Sequence, residues 1–392
     1  SLVLGLLTAG ALVAGGLPGE GSLAFGLGWA ATGMAFSAVA AVAAQITTTS
    51  RAATGLGVSV IAVTYILRGI GDLAEPGPSA FSWMSPIGWN QQIRAFAGDR
   101  WWVLALPLAL CVALVPVAFL LRARRDLGGG LRADRPGPAQ GALKGVWGLA
   151  VRLQNRVFAA WAIGVVIFGV IIGSLVNSVS DFLASSNALE LIKKLGGDQI
   201  LTDAFLAAEI GLVGIMISAY GIAAANRLRS EEIVGHTEAL LGTSTTRVRW
   251  ATSHYAAALA GVALLLLLLG LSVGAGAGLV LHDGSQVGRV ALAALAQIPA
   301  GWVIVSVALL VFGWVPRLAG TVWGLLMAFI ALGEFGVLWG VPQWLMNVSP
   351  FQHSPKLPVD KGDVFVLVVL TAVAAVLAAL GYLGWRRRDL AL

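Results

Sequence analysis

Residues 250–280, WATSHYAAALAGVALLLLLLGLSVGAGAGLV, hold no aspartate, glutamate, lysine or arginine. The run exceeds the ~20 residues an α-helix needs to cross the hydrocarbon core of a bilayer. A barrel strand would cross the same core in ~9–11 residues, so the run reads as helix. Arg247, Arg249 and Trp250 stand at its start. These are residue types that hold a span at the membrane interface.

The pattern recurs along the chain. Of its 392 residues 58% are hydrophobic and only 11% charged, against about 25% charged in soluble domains. Mean hydropathy is +0.87. Apolar runs predict helices near 23–46, 51–70, 101–121, 156–176, 203–226, 250–280, 286–314, 317–340 and 363–385, with residues 1–16 as the end of a further span. The expected fold is an all-α polytopic membrane protein of ten spans, the first incomplete. Cys111 is the single cysteine, so no internal disulfide forms. His236, His254, His282 and His353 lack metal-ligand spacing, and no metal site is expected.

The connections between spans fall into two sets that alternate along the chain. One is basic: Arg51; Arg122 to Arg156; Arg227 to Arg249; Arg317; and Arg386 to Arg388. The other, 17–22, 71–100, 177–202, 281–285 and 341–362, is mixed or acidic, and Trp83, Trp89, Trp101, Trp102, Trp339 and Trp344 cluster on its side. The positive-inside rule assigns the basic set to the cytoplasm. The net charge of +6 then reflects loops facing anionic lipid rather than nucleic-acid binding.

Two passages resemble each other. SWMSPIGWNQQIRAF at 82–96 has a counterpart in PQWLMNVSPFQHSPKL at 342–357, and RARRDL at 122–127 has one in WRRRDL at 385–390. The Ser-Pro pairs are 264 apart, the Arg-Arg-Asp-Leu quartets 263, and the turns at Arg51 and Arg317 keep an offset of 266. Three markers in one register predict a parallel repeat of two helical bundles. The expected division is a first half at 1–121, a basic linker at 122–155 and a second half at 156–392. Sliding the register back places the counterpart of Arg156 roughly 110 residues before Ser1, so about twelve spans are expected in a longer protein.

One polar island interrupts the second half: LRSEEIVGHTEALLGTSTTRVRW, residues 228–250. On a helical wheel over 231–241, Glu231, Gly235 and Glu238 share one side with Glu232 at its edge, while Ile233, Thr237 and Leu240 share the other, flanked by Leu241. Gly242 and the run Thr243 to Thr246 end the helix. Lipid-surface helices carry lysine and arginine on the polar face. An acidic face suits docking into a partner groove better than lying on headgroups or capping other cytoplasmic ends.

The stretch RLRSEEIVGHTEALLGTSTTRVRWATSH at 227–254, ITTTSRAATGLG at 46–57 and the two Arg-Arg-Asp-Leu span ends resemble the actinobacterial ABC-2-type exporter permeases of the polyketide-antibiotic, tetronasin type. The resemblance implies twelve spans in two halves of six, in the bacterial plasma membrane, and a separate ATPase subunit acting as a dimer. It implies that Glu231, Glu232, Gly235, Glu238 and Leu241 belong to a helix coupling the permease to that ATPase, with Arg247 and Arg249 following it. It also implies that the cargo is a hydrophobic drug or antibiotic. The chain has no G-x-x-x-x-G-K-[ST] loop to cradle phosphates, so ATP and Mg²⁺ are expected on the partner and no cofactor on this chain.

Rival mechanisms need other residues. An ion-coupled secondary transporter requires ionisable groups inside the bilayer, and the candidates are Glu209, Glu334, Arg68 and His254, none at a midplane. An embedded hydrolase would need a nucleophile–base pair. Adjacent Ser253 and His254 point ~100° apart on a helix, and no catalytic residue is expected. A path for apolar cargo would draw on Tyr65, Glu209, Met216, Tyr220, Trp302, Trp323, Met327 and Phe329. Gly274, Gly276 and Gly278 are expected to soften one span. The tryptophan-rich segments near 82–102 and 340–358 read as interfacial anchors or as paired outer lids.

Overall fold

The computed structural model describes residues 1–74, 80–124, 145–176, 197–336, 338–359 and 362–389. Most of the basic linker and most of the 177–202 connection lie outside the described residues. Among the described residues there is no strand. Eight helical stretches among the described residues are long and apolar enough to cross a membrane. Two shorter apolar helices, Leu2–Ala14 and Thr321–Phe335, occupy the first and ninth expected positions. The protein is an all-α, multi-pass membrane protein. Side chains such as Val112, Phe119, Ile163 and Val368 are exposed on its helices, an arrangement that suits lipid tails and would be unfavourable in water.

The chain divides into two units, Ser1–Ala139 and Gln140–Leu392. In the first, α2 (Gly19–Ile46) packs against α1 (Leu2–Ala14), α3 (Ser50–Ala74) and α6 (Ala105–Ala123). Short helices α4 (Ala80–Trp83) and α5 (Pro86–Gln92) lie between α3 and α6. Ser85 starts α5, its hydroxyl accepting from the Gly88 N–H at 3.5 Å. The rings of Trp83 and Trp102 stack at 5.7 Å.

The second unit runs α7 (Gly145–Ser174), α8 (Gly197–Ala225), α9 (Arg227–Ile233), α10 (His236–Leu241), α11 (Arg247–Leu281), α12 (Ser285–Leu295), α13 (Ile298–Trp314), α14 (Thr321–Phe335), α15 (Gln343–Met346) and α16 (Val364–Arg387). Its core gathers Leu206, Ile217, Val262, Leu266, Ile304 and Leu326 from α8, α11, α13 and α14. The elements from α12 onward follow the order seen in the first unit. Ser349-Pro350 opens a 3₁₀ turn after α15, as Ser85-Pro86 opens α5 after α4. Likewise α13 packs on α16 as α2 packs on α6.

Several expectations change. Helix α7 starts at Gly145, so the last eleven residues of the expected linker, 145–155, are helical. The span expected at 286–314 is broken at Ala296-Gln297, just before Pro299, a residue that suits a helix start. The span expected at 317–340 is helical only over Thr321–Phe335. The glycines of α11 do not loosen it, because the helix is continuous over 35 residues. They let backbones meet. A Cβ on Gly274 would lie 2.7 Å from Val287 Cα of α12, and one on Gly276 would lie 2.6 Å from the Val170 carbonyl of α7. Lipid tails give helices no hydrophobic reason to associate, so such close contact carries the packing.

Candidate functional site

Three connections of the second unit meet at one end, and all three belong to the basic set. They are the loop between α8 and α11, the turn at Arg317, and the end of α16. Asn226 Nδ2 donates to the Ala319 carbonyl at 3.4 Å, and the Arg229 guanidinium donates to the Pro316 carbonyl. Arg247 donates to the Arg388 carbonyl at 2.7 Å. Trp385 Nε1 returns a hydrogen bond to the Arg247 carbonyl at 3.1 Å.

The loop itself corrects the sequence reading. Residues 231–241 are not one helix. Helix α9 ends at Ile233 and α10 begins at His236, with Gly235 between them at φ +82°. That left-handed conformation stops a helix and favours glycine. The wheel that aligned Ile233 with Thr237 and Leu240 therefore does not apply.

Two glutamates of the expected acidic face, Glu231 and Glu232, are also turned inward, while Glu238 stays exposed. Glu231 is 7% exposed, with Arg227 Nε at 2.7 Å and His236 Nδ1 at 2.8 Å. Both oxygens of Glu232 accept from Arg388 Nη2 at 2.7 Å. That guanidinium lies over the rings of Trp385, at 5.0 Å, and Phe312, at 5.1 Å, a favourable cation–π position. What faces outward is the bend: Ile233 is 71% and Val234 64% exposed, and Gly235, His236 and Glu238 stand beside them.

Beneath the bend lies an aromatic plug. Leu228, Trp250, Leu309, Phe312 and Trp385 are buried together, with Leu240, Tyr255 and Tyr382 at the margin. Trp385 lies 5.4 Å from Trp250 and 5.0 Å from Phe312. The plug joins α9, α11, α13 and α16. Of the remaining loop residues, Leu241 is half-buried and Arg249 exposed, while Thr246 caps α11 by accepting from the Arg249 N–H at 3.3 Å. The arrangement is mechanical: a short apolar bend, held by two ion pairs, is seated on four helices. Sequence reasoning missed Ile233 and Val234 as the exposed tip, and Arg388 and Trp385 as its supports. The Arg227–Glu231 pair was readable from its i,i+4 spacing.

Of the residues expected along a cargo path, two share a cavity within the second unit. Glu209 and Phe329 line one cavity at the opposite end of the unit. Tyr220 is buried between Phe158 and Trp161 against Gly261, and Trp302 Nε1 donates to the Leu259 carbonyl at 3.1 Å. Met216, Trp323 and Met327 are exposed on the second unit and Tyr65 on the first. Ser253 donates to the Trp250 carbonyl at 2.7 Å and makes no pair with His254. No group of three potential metal ligands occurs among the described residues.

Membrane-length helices converging on a braced, outward-pointing loop define a polytopic permease. Residues 143–386 match the family described as "Multidrug efflux system permease Rv1217c, C-terminal domain". The chain is 38% identical over 393 residues to the multidrug efflux system permease protein Rv1217c of Mycobacterium tuberculosis (strain ATCC 25618 / H37Rv), a match covering 99% of this chain and 71% of that protein. The chain belongs to this permease family.

Proposed function

We propose that the chain is the membrane-spanning subunit of an ATP-binding-cassette exporter that moves hydrophobic drugs or antibiotics out of the cell. It sits in the bacterial plasma membrane with the basic end in the cytoplasm. A separate ATPase subunit, acting as a dimer, carries ATP and Mg²⁺, and the loop 227–249 is where it grips the permease. The observation that carries this reading is the Ile233-Val234 tip, two exposed aliphatic side chains raised on an ion-paired frame at the basic end. An apolar anchor rimmed by charge is the usual form of a helical docking element. Support comes also from a relative that is itself an efflux permease and from the lack of a phosphate loop in the sequence.

In this reading ATP binding closes the ATPase dimer and draws the tip with it. Glu231–Arg227 stiffens α9 itself, Glu232–Arg388 passes the displacement to α16, and the aromatic plug passes it to α11 and α13. The two halves then rock to alternate access. Among the loop residues first assigned to coupling, Glu231, Glu232 and Arg247 brace the tip, Gly235 forms the bend, Leu241 helps seat α10, and Glu238 and Arg249 lie at the exposed rim.

Co-purification tests the proposal. The tagged permease is expected to bring down an ATP-binding protein, and efflux from reconstituted vesicles is expected to require ATP. The ion-coupled alternative is kept alive by Glu209 and Glu334, two carboxylates on one cavity. Efflux that survives ATP removal and stops when a proton gradient is dissipated would decide for that alternative.

A further inference from the structure

A cavity of the second unit lies at the end away from the loop. With a volume of about 510 Å³, it opens among the first half of α8, the α12–α13 break, the end of α14 and the segment 349–359. Its size falls within the roughly 300–1,000 Å³ of small-molecule sites. Leu212, Ile215, Phe329 and Phe351 supply apolar wall, and Glu209 and Glu334 supply two carboxylates. Neither carboxylate forms an ion pair with another described residue. Lys356 also lines the cavity, so the formal charges of the described lining residues sum to one negative. A further group points to a ligand. Ser354 lines the same cavity at 5% exposure, and its hydroxyl has no hydrogen-bond partner among the described residues. A buried hydroxyl left unpaired is costly unless something bound there satisfies it.

We propose that this cavity binds hydrophobic organic cations. Two carboxylates set among phenylalanine rings and aliphatic walls favour a cation with an apolar skirt, attracted by both charge and ring faces. A bare metal ion is a poor fit, because the described residues hold no group of three ligands for one. An organic anion of the same size meets two like charges. The proposal rests on the export reading only for what delivers the cation and carries it away. Binding itself needs no nucleotide.

The test uses two hydrophobic ions of matched size and opposite charge, tetraphenylphosphonium and tetraphenylborate. Equilibrium binding of each is measured on the purified full-length permease without ATP. The phosphonium is expected to bind at least about tenfold more tightly than the borate. Glu209→Gln and Glu334→Gln, each isosteric, are each expected to weaken phosphonium binding about tenfold and to strengthen borate binding. A misfolded variant would lose both ligands, so the gain of borate binding separates a charge effect from damage. Borate bound as tightly as phosphonium by the unmodified protein, or phosphonium affinity unchanged in both variants, overturns the proposal. ATP-driven efflux of neutral compounds without this selectivity would sink the cation site alone. Selective binding with no ATPase associated would sink the export reading alone.

Discussion

Replacing Ile233 and Val234 together by aspartate is expected to weaken association with the ATPase subunit by about 100-fold while the permease still folds. Both side chains are more than three-fifths exposed and contribute nothing to the buried plug, so the fold has no need of them. At a docked surface they would be the apolar anchor, and a carboxylate there must be desolvated without a partner. Glu231→Ala makes an informative contrast. It deletes no exposed surface but leaves Arg227, 16% exposed along its side chain, without its partner. Removing one member of a buried pair is strongly destabilising. The tip variant should therefore elute and melt as the unmodified permease does yet fail in the pull-down. The Glu231 variant should melt earlier. Unchanged capture of the ATPase by the double aspartate variant would refute the assignment of the tip.

Trp385→Ala is the second large effect, at about 3–5 kcal/mol of stability. The ring is fully buried between Trp250 and Phe312. It also underlies the guanidinium groups of Arg388 and Arg247, at 5.0 and 5.9 Å. Its indole N–H satisfies the Arg247 carbonyl. Alanine would open a cavity, strip both arginines of their aromatic support and release the loop from α16. Trp385→Phe keeps a ring but loses the hydrogen bond and part of the ring volume, for a smaller cost of about 1–3 kcal/mol. Thermal unfolding in detergent reads the stability, and amide exchange over 227–246 reads the release. An alanine variant that melts with the unmodified protein and protects those amides equally would show that the plug does not hold the loop.

How much of this was readable beforehand follows from what a linear pattern encodes. The spans were legible because lipid demands a sustained apolar run and a closed set of backbone hydrogen bonds, which leaves little room for misreading. Their ends were less so. Arg152 and Arg156 made the start of α7 look like linker, since a helix that emerges from the apolar core keeps its geometry while its composition turns polar. The break at Ala296-Gln297 had a signal in Pro299. The alternation of basic and mixed connections placed 227–249, Arg317 and Arg386 to Arg388 in one set, and the structure brings them together.

The site was harder. A helical wheel presumes one axis, and Gly235 at φ +82° removes it. Once the axis is lost, in and out exchange, and the glutamates that seemed to face a partner turn to Arg227 and Arg388. The Glu232–Arg388 bond spans 156 positions, and no local periodicity encodes it. The repeated Arg-Arg-Asp-Leu ending marked the right place without disclosing what it touched. Cargo-path residues were chosen by type, and side-chain type says nothing about which way a helix is rotated: Tyr220 is buried and Met327 exposed.

The most direct measurement is site-specific photo-crosslinking in the intact membrane complex, with benzoylphenylalanine placed at Val234 in one preparation and at Glu231 in another. The account predicts a covalent product between position 234 and the ATPase subunit, and only internal products from position 231. Capture of the ATPase from position 231 but not 234, or of lipid alone from 234, would contradict it.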